Sequence, residues 1–165
     1  MSSEAPPRDL GFLGARQDGI GPEEWGITLE QLATLEDNAG RTDTMRAVVE
    51  DFVKPWTAGS GKGHALKLNR SSPLRAAIMV SHAWDETYHE FFVALKNSGF
   101  TGPFWVCALA IYQNDDIEDV TIAKQLGPDA LYGPFATVLR QADCMVAVIT
   151  ALEGPMLEVS LLEIL

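Results

Sequence analysis

Three short apolar runs, each followed by polar residues and a helical pattern, constrain the fold of this chain more than any other feature. The runs are AAIMV (76–80), PFWVCALAIY (103–112) and CMVAVIT (144–150). Continuous apolar strands are buried on both faces, and such strands belong to parallel sheets with helices on both sides. The repeated order of strand and helix therefore predicts an α/β fold with an open parallel sheet.

Helical patterns account for most of the residues around these strands. Thr28 and Gln31 match a capping box, in which each side chain bonds the backbone N–H of the other residue. Lys54-Pro55 is expected to end the second helix, because the residue before proline avoids the helical conformation. Helices are predicted at 28–36, 45–53, 87–99, 117–127 and 134–142, and a last one begins at Gly154-Pro155 and includes MLEVSLLEIL (156–165).

These patterns divide the chain into three parts. Residues 1–27 have prolines and glycines with little periodicity and predict a flexible N-terminal arm. Residues 28–72 are expected to form a helical extension and a Gly-rich linker, and residues 73–165 an α/β domain. TAGSGKGH (57–64) lacks the first glycine and the hydroxyl residue of a phosphate-binding loop, so we interpret it as a flexible linker.

The charge balance argues against nucleic acid and membranes as partners. The chain has 23 acidic and 12 basic residues, a net charge of −11, and no basic cluster that would neutralise phosphates. The apolar run at 104–112 is too short to span a bilayer, and residues 1–12 lack the pattern of a signal peptide. Cys107 and Cys144 lie in apolar runs and are interpreted as reduced, buried cysteines. These features predict a cytoplasmic protein with no membrane insertion.

The segments that follow the strands are the candidate site, because ligands of open α/β sheets bind outside the carboxyl ends of the strands. Each residue also has a structural alternative, such as helix capping for Ser81 and Asp85, a hydrogen-bonded turn for His82 or core packing for Trp84. The candidates are Ser81, His82, Trp84 and Asp85 after the first strand, Gln113, Asn114, Asp115 and Asp116 after the second, and Thr150 to Gly154 after the third.

Two kinds of chemistry are not expected at these residues. Ser81 and His82 are adjacent, so in an extended segment their side chains point in opposite directions and cannot pair as nucleophile and base. The spacing of His82 and His89 matches no metal-ligand pattern, and Asp115-Asp116 lack further oxygen ligands for Mg²⁺. The sequence predicts no metal site.

Three segments together carry a resemblance to a known family. They are AAIMVSHAWDETYHEFFVALKNSGF, PFWVCALAIYQND and LYGPFATVLRQADCMVAVIT. They resemble the first strand with its turn and helix, the second strand, and the third strand with its preceding helix in TIR-like (Toll/interleukin-1 receptor/resistance protein) domains of a divergent protist and algal branch. The resemblance implies a flavodoxin-like/TIR-like sheet. Because the domains of that family continue through further strands, it also implies a chain truncated at its C-terminus.

The resemblance also implies a catalytic residue. In members of the family that cleave NAD⁺, a glutamate of the next helix is catalytic, and Glu163 in PMLEVSLLEIL falls at its position. Val159 and Ser160 stand where the family has Trp-Cys. NAD⁺ would then be a substrate, with no cofactor required. Trp84 would stack on a ring of NAD⁺, and residues 81–86 would contact its phosphates or ribose.

Three functions remain open at this point. The first is a TIR-like signalling or interaction module that acts through self-association or binding of other TIR-like proteins. The second is an NAD⁺ nucleosidase in which Glu163 stabilises the positively charged transition state. The third is an inactive truncated fragment, which would be poorly soluble because its uncovered sheet would aggregate.

Overall fold

The computed structural model describes residues 14–149 in full and the backbone of Thr150 and of 159–164. Short 3₁₀ turns lie at Pro22–Glu24, Glu118–Val120 and Ala130–Tyr132, and a π-helical turn lies at Val49–Val53. The strands are β1 (Ile78–Ser81), β2 (Phe104–Val106), β3 (Cys144–Thr150) and β4 (Val159–Ile164). The α-helices are α1 (Leu29–Asn38), α2 (Met45–Val48), α3 (Lys54–Thr57), α4 (His64–Leu68), α5 (Tyr88–Asn97), α6 (Cys107–Ala110), α7 (Ile122–Leu126) and α8 (Pro134–Leu139).

Three parallel strands, in the order β2-β1-β3, form most of a four-stranded sheet, with β2 at one edge. Val80 of β1 lies in register between Val106 of β2 and Val146 of β3. The predicted α/β fold with an open parallel sheet is confirmed. β3 has the same bounds as the predicted run CMVAVIT. The sequence places this strand well because the run is apolar and β-branched and polar residues precede it.

Apolar residues cover both faces of this sheet. Successive strand residues point to opposite faces, so Val80 and Met79 belong to two different hydrophobic clusters. The cluster around Val80 takes most of its helical residues from α1, α2 and α5, including Leu32, Met45 and Phe91. The cluster around Met79 includes Trp25, Leu66, Trp105, Ile111 and Val138.

The second apolar run is part strand and part helix. The strand ends at Val106, and Cys107–Ala110 form the single turn α6. The prediction of one strand through residue 112 is therefore wrong. A continuous apolar run does not distinguish a buried strand from a buried helix by its period, and CALA favours the helix.

Pro55 does not end the second helix, contrary to the sequence prediction. The backbone stays helical from Met45 to Thr57, through the π-helical turn at Val49–Val53. In that turn the N–H of Lys54 bonds the carbonyl of Val49, five residues back. The wider turn relieves the crowding that proline causes inside a regular α-helix.

Residues 159–164 form a strand and not the predicted helix. β4 pairs antiparallel with β3, with Val159 beside Thr150 and Ile164 beside Met145. Pairing covers the backbone groups at the edge of β3, which outweighs the helix preference of a leucine-rich segment. Residues 151–158, where that helix was predicted to begin, lie outside the described residues.

Residues 14–27 are packed against the sheet, unlike the flexible arm expected there. Trp25 and Ile27 are fully buried. Ile27 exchanges two backbone hydrogen bonds with Phe104 and so covers the free edge of β2. Residues 1–13 lie outside the described residues.

The Gly-rich segment is also built into the core and does not form a loose linker. The N–H of Gly63 donates to Oε1 of Gln17 at 2.8 Å, and His64 is buried. No helix in the described part of the chain has the length and apolar character needed to cross a membrane.

Candidate functional site

A cleft lies at the carboxyl ends of β1 and β2, where the sequence predicted a site. It consists of two adjoining cavities of about 190 Å³ each, which share Trp84, Gln113 and Ile122. Residues of the polar end are Arg46, Val49, Glu50, Lys54 and Asp115, and residues of the apolar end are Cys107, Ile111, Leu126 and Phe135. The cleft can therefore hold a small ligand with one polar and one apolar part.

The polar end has two cationic side chains, each paired with a carboxylate. Nζ of Lys54 lies 2.5 Å from Oε1 of Glu50, and Nε of Arg46 lies 3.2 Å from Oδ1 of Asp85. Arg46 also stacks over the Trp84 ring, with its guanidinium carbon 5.8 Å from the ring centre. These contacts hold Trp84 between the two ends of the cleft, and the pairs can open to an anionic ligand because they are partly exposed to water.

His82 is enclosed by aromatic rings behind the apolar end. Its side chain is 1% exposed and lies edge-on to Trp84 and Phe91, at ring-centre distances of 5.7 and 5.6 Å. Nδ1 is 3.2 Å from the carbonyl of Ala83 and 3.9 Å from Oε1 of Glu86. Burial lowers the pKa of His82 from its ordinary value, and the hydrogen bond to Ala83 opposes that shift only partly.

Cys107 lies on the other side of this histidine. Its Sγ is 3.4 Å from Nε2 of His82, and the residue is partly exposed on the apolar end of the cleft. Burial raises the pKa of the Cys107 thiol to about 11, against weaker opposing hydrogen bonds from the backbone of Ala108 and of Cys107 itself. A thiol and an imidazole thus meet at the cleft, both neutral at pH 7.

The structure brings some of the other predicted site residues to the cleft and leaves others outside it. Trp84, Gln113 and Asp115 line the cleft. Ser81 is exposed at the end of β1 beside Ala147, and Asp85 is exposed and bonds Arg46. Gln113 donates from Nε2 to the carbonyls of Ile111 and Cys107, so it also supports the turn beneath the cleft.

Glu163 lies in β4, at the far side of β3 from the cleft. Its backbone is in register with Val146, which is in register with Val80. Two strand spacings, about 10 Å, therefore separate the backbones of Glu163 and Val80. The side chain of Glu163 and the residues 151–154 after β3 lie outside what the structure describes, so the catalytic role remains a prediction.

Sequence reasoning missed several residues of the cleft. Arg46 and Lys54 come from the helical extension, which was assigned to a separate part of the chain. Cys107 was taken as a strand residue, because the period of a continuous apolar run does not show where a strand becomes a helix. For Phe135 the sequence did give a signal. Pro134 was predicted to start a helix, it is the first residue of α8, and Phe135 follows it directly.

The described residues contain no group of three or more His, Cys, Asp or Glu side chains that could hold a metal ion. Comparisons of the chain with protein-family models, with curated proteins and with solved structures find no significant match. The TIR-like resemblance accordingly stays a prediction.

Proposed function

We propose that the chain is a TIR-like interaction module that acts through self-association. The observation that carries the proposal is an exposed apolar ridge formed by Leu131, Tyr132, Phe135 and Leu139. These side chains are 66%, 64%, 41% and 52% exposed. Contiguous exposed apolar surface of this kind marks interaction sites, whereas single exposed leucines do not.

The ridge is held in a fixed shape. Val138, also on α8, is buried in the hydrophobic cluster around Met79 and so fixes the helix to the core. Nη2 of Arg140 donates to the carbonyl of Leu131 and ties the two ends of the ridge together. A surface that is already ordered loses little conformational entropy on binding, which favours association.

A second copy of the chain fits this ridge by its spacing. Phe135 and Leu139 are four residues apart on α8 and so share one side of it, and Leu131 lies in the 3₁₀ turn just before this helix. Two antiparallel ridges related by a twofold axis would place Phe135 against its own copy and Leu131 against the partner's Leu139. Phe135 also lines the apolar end of the cleft, so such a contact would cover that end.

The salt dependence of association shows whether the ridge binds a second copy of the chain or a basic partner. Two chains of net charge −11 repel each other, so added salt should strengthen self-association. Binding of a basic partner would weaken with salt. Sedimentation equilibrium at about 0.15 and 0.5 M salt measures the sign directly.

The test uses the double substitution Leu131→Gln and Leu139→Gln. Both leucines are exposed, so the fold should remain while the dissociation constant rises about tenfold or more, the effect of losing about 1.4 kcal/mol. Leu68→Gln is the matched control, since Leu68 is 49% exposed on α4, outside the ridge. A wild-type chain that stays monomeric at millimolar concentration would refute the proposal, as would equal association by the double variant.

NAD⁺ cleavage is a second candidate, favoured by the presence of Trp84, Gln113 and Asp115 on one cleft with Arg46 and Lys54 at its polar end. The two cations suit phosphates, and Trp84 suits a ring. NAD⁺ consumption should be measured at protein concentrations that give association, with Glu163→Gln beside Glu118→Gln as a control. NAD⁺ consumption by the wild type and by Glu118→Gln, but not by Glu163→Gln, would support this function. If the wild type consumes no NAD⁺, this function is refuted.

A further inference from the structure

The parallel pairing of β1 and β2 brings a histidine and a cysteine together. Val80 is in register with Val106, so the residues that leave the two strands start from neighbouring positions. His82 directly follows β1, and Cys107 directly follows β2 as the first residue of α6. The resulting distance from Sγ to Nε2 is 3.4 Å, a hydrogen-bond contact for sulfur.

The hydrogen bond at Nδ1 decides which ring nitrogen faces the thiol as an acceptor. The carbonyl of Ala83, 3.2 Å from Nδ1, can only accept, so the proton of the neutral imidazole belongs on Nδ1. Nε2 then presents its lone pair to the S–H of Cys107. Trp84 and Phe91 hold the ring in this orientation from two sides.

The carboxylate of Glu86 stands behind the histidine. Its side chain is 1% exposed, and Oε1 accepts from the N–H of Ala83 at 3.2 Å while lying 3.9 Å from Nδ1 of His82. An imidazolium formed by proton uptake at Nε2 would be stabilised by this nearby negative charge. Cys107, His82 and Glu86 are thus arranged as nucleophile, base and supporting group, an order that covalent catalysis uses.

We propose that Cys107 is a nucleophilic thiol, activated by His82 as general base, that captures small apolar carbon electrophiles in the cleft. Sγ forms a bond to the electrophilic carbon, and the leaving group departs with the electron pair of its own bond. The S–H proton moves to Nε2 of His82 and then to solvent. The product is a thioether on Cys107, and no oxidant or metal takes part.

The apolar end of the cleft sets the class of electrophile. Trp84, Ile111, Ile122, Leu126 and Phe135 surround the approach to Cys107 in a cavity of about 190 Å³. A cavity of about 150 Å³ is enough for a benzene ring. An aryl or short alkyl group should therefore fit beside the thiol.

N-phenylchloroacetamide is the probe, and chloroacetamide, which lacks the ring, is its matched control. Labelling of Cys107, followed by intact mass and peptide mapping, should saturate with the aryl probe and run at least about tenfold faster than with chloroacetamide. This difference is the binding contribution of one apolar ring, about 1.4 kcal/mol or more. Equal, unsaturable rates for the two probes would overturn the proposal.

Substitutions test the contribution of His82 as a base independently of binding in the cavity. His82→Gln should slow labelling of Cys107 about 10²-fold at pH 7, the usual contribution of a general base. Cys107→Ser should abolish the adduct, and Cys144→Ser should leave its rate unchanged. Labelling at Cys144 in the His82→Gln variant reports whether the fold is intact. An unchanged rate at Cys107 in that variant would exclude His82 as the base.

The pH profile of the unmodified chain gives a test that needs no substitution. Within the described residues, the titratable groups recorded against the imidazole are Glu86 and Cys107, α5 contributes the Phe91 ring, and Trp84 contacts both His82 and Arg46. Because burial lowers the pKa of His82 below its ordinary value, the base is mostly neutral above pH 7, and labelling should be nearly flat from about pH 7.5 to pH 9. A thiol that reacted without a base would instead speed up about tenfold per pH unit over this range.

Discussion

At the scale of single residues, Gly63 is the described glycine at which an added side chain would come nearest to other backbone atoms. A Cβ atom there would lie 2.1 Å from the carbonyl oxygen of Ala110 and 2.9 Å from that of Leu109. Gln17 bridges the same place, since Oε1 accepts from Gly63 and Nε2 donates to Ala110 and Gln125. This network of buried hydrogen bonds fixes the turn that begins at Cys107.

We expect Gly63→Ala to destabilise the protein by about 1–3 kcal/mol or more, because the atoms in the way are backbone and cannot rotate aside. Gly40→Ala is the control, since its nearest neighbour is the movable end of Asp43 at 3.1 Å. Urea unfolding measures both free energies. Equal losses of stability in the two variants would contradict the close approach at Gly63.

His64 should make the protein less stable in acid. Burial first, and then the charge of Lys67, lower its pKa from 6.5 to about 4. The unfolded chain therefore binds a proton below pH 6.5 that the folded chain refuses until about pH 4, so stability falls as pH drops through this window. The loss approaches about 3 kcal/mol at 1.36 kcal/mol per pH unit. Urea unfolding from pH 7 to 4 should show a shallower slope for His64→Gln than for the wild type.

At the scale of helices and strands, local signals were reliable where a side chain satisfies the backbone. Thr28 accepts from the N–H of Gln31, and Gln31 accepts from the N–H of Thr28, as the capping box predicted. Thr87 likewise accepts from the N–H of Glu90 before α5. Such bonds involve residues three apart, so the sequence contains all of their parts.

Thr28→Ala should cost about 1 kcal/mol, because it removes the oxygen that bonds the first turn of α1. Thr101→Ala, at an exposed position outside any helix, serves as the control and should change stability by less than about 0.5 kcal/mol. Thermal or urea unfolding distinguishes the two. Unchanged stability of the Thr28→Ala variant would show that α1 does not depend on this cap.

Elements that depend on a distant partner were the ones that the sequence misassigned. The leucine-rich segment 159–164 has helical residues, yet it pairs with the edge of β3. The run 103–112 changes from strand to helix at Cys107, where Gly63 packs against the following turn. In each case the deciding contact comes from residues that no local pattern includes.

At the scale of the whole molecule, one hydrophobic cluster joins parts that the sequence had assigned to different domains. Leu32, Met45 and Val49 pack with Val80 and Val146 in a single core. The helices of 28–57 therefore cover one face of the apolar strands. The boundary at residue 72 remains a prediction that a fragment can test.

Residues 73–165 alone should fail to unfold cooperatively, because one face of the sheet would lose its covering helices. Residues 14–165 should keep a cooperative transition when both are followed by circular dichroism during heating. Binding of a hydrophobic dye to the shorter fragment would report the exposed face. A sharp transition for 73–165 on its own would instead establish it as an independent domain.

The sequence by itself determined the fold class, three strand positions, the capping box at Thr28 and the edge of the sheet where the candidate site lies. It could do so because apolar periodicity and capping depend on near neighbours. Only the tertiary structure decided that Arg46 and Lys54 reach the cleft, that 159–164 pair as a strand, and that Cys107 meets His82. Those outcomes depend on strand register and on contacts between residues far apart in the chain, which a local pattern does not encode.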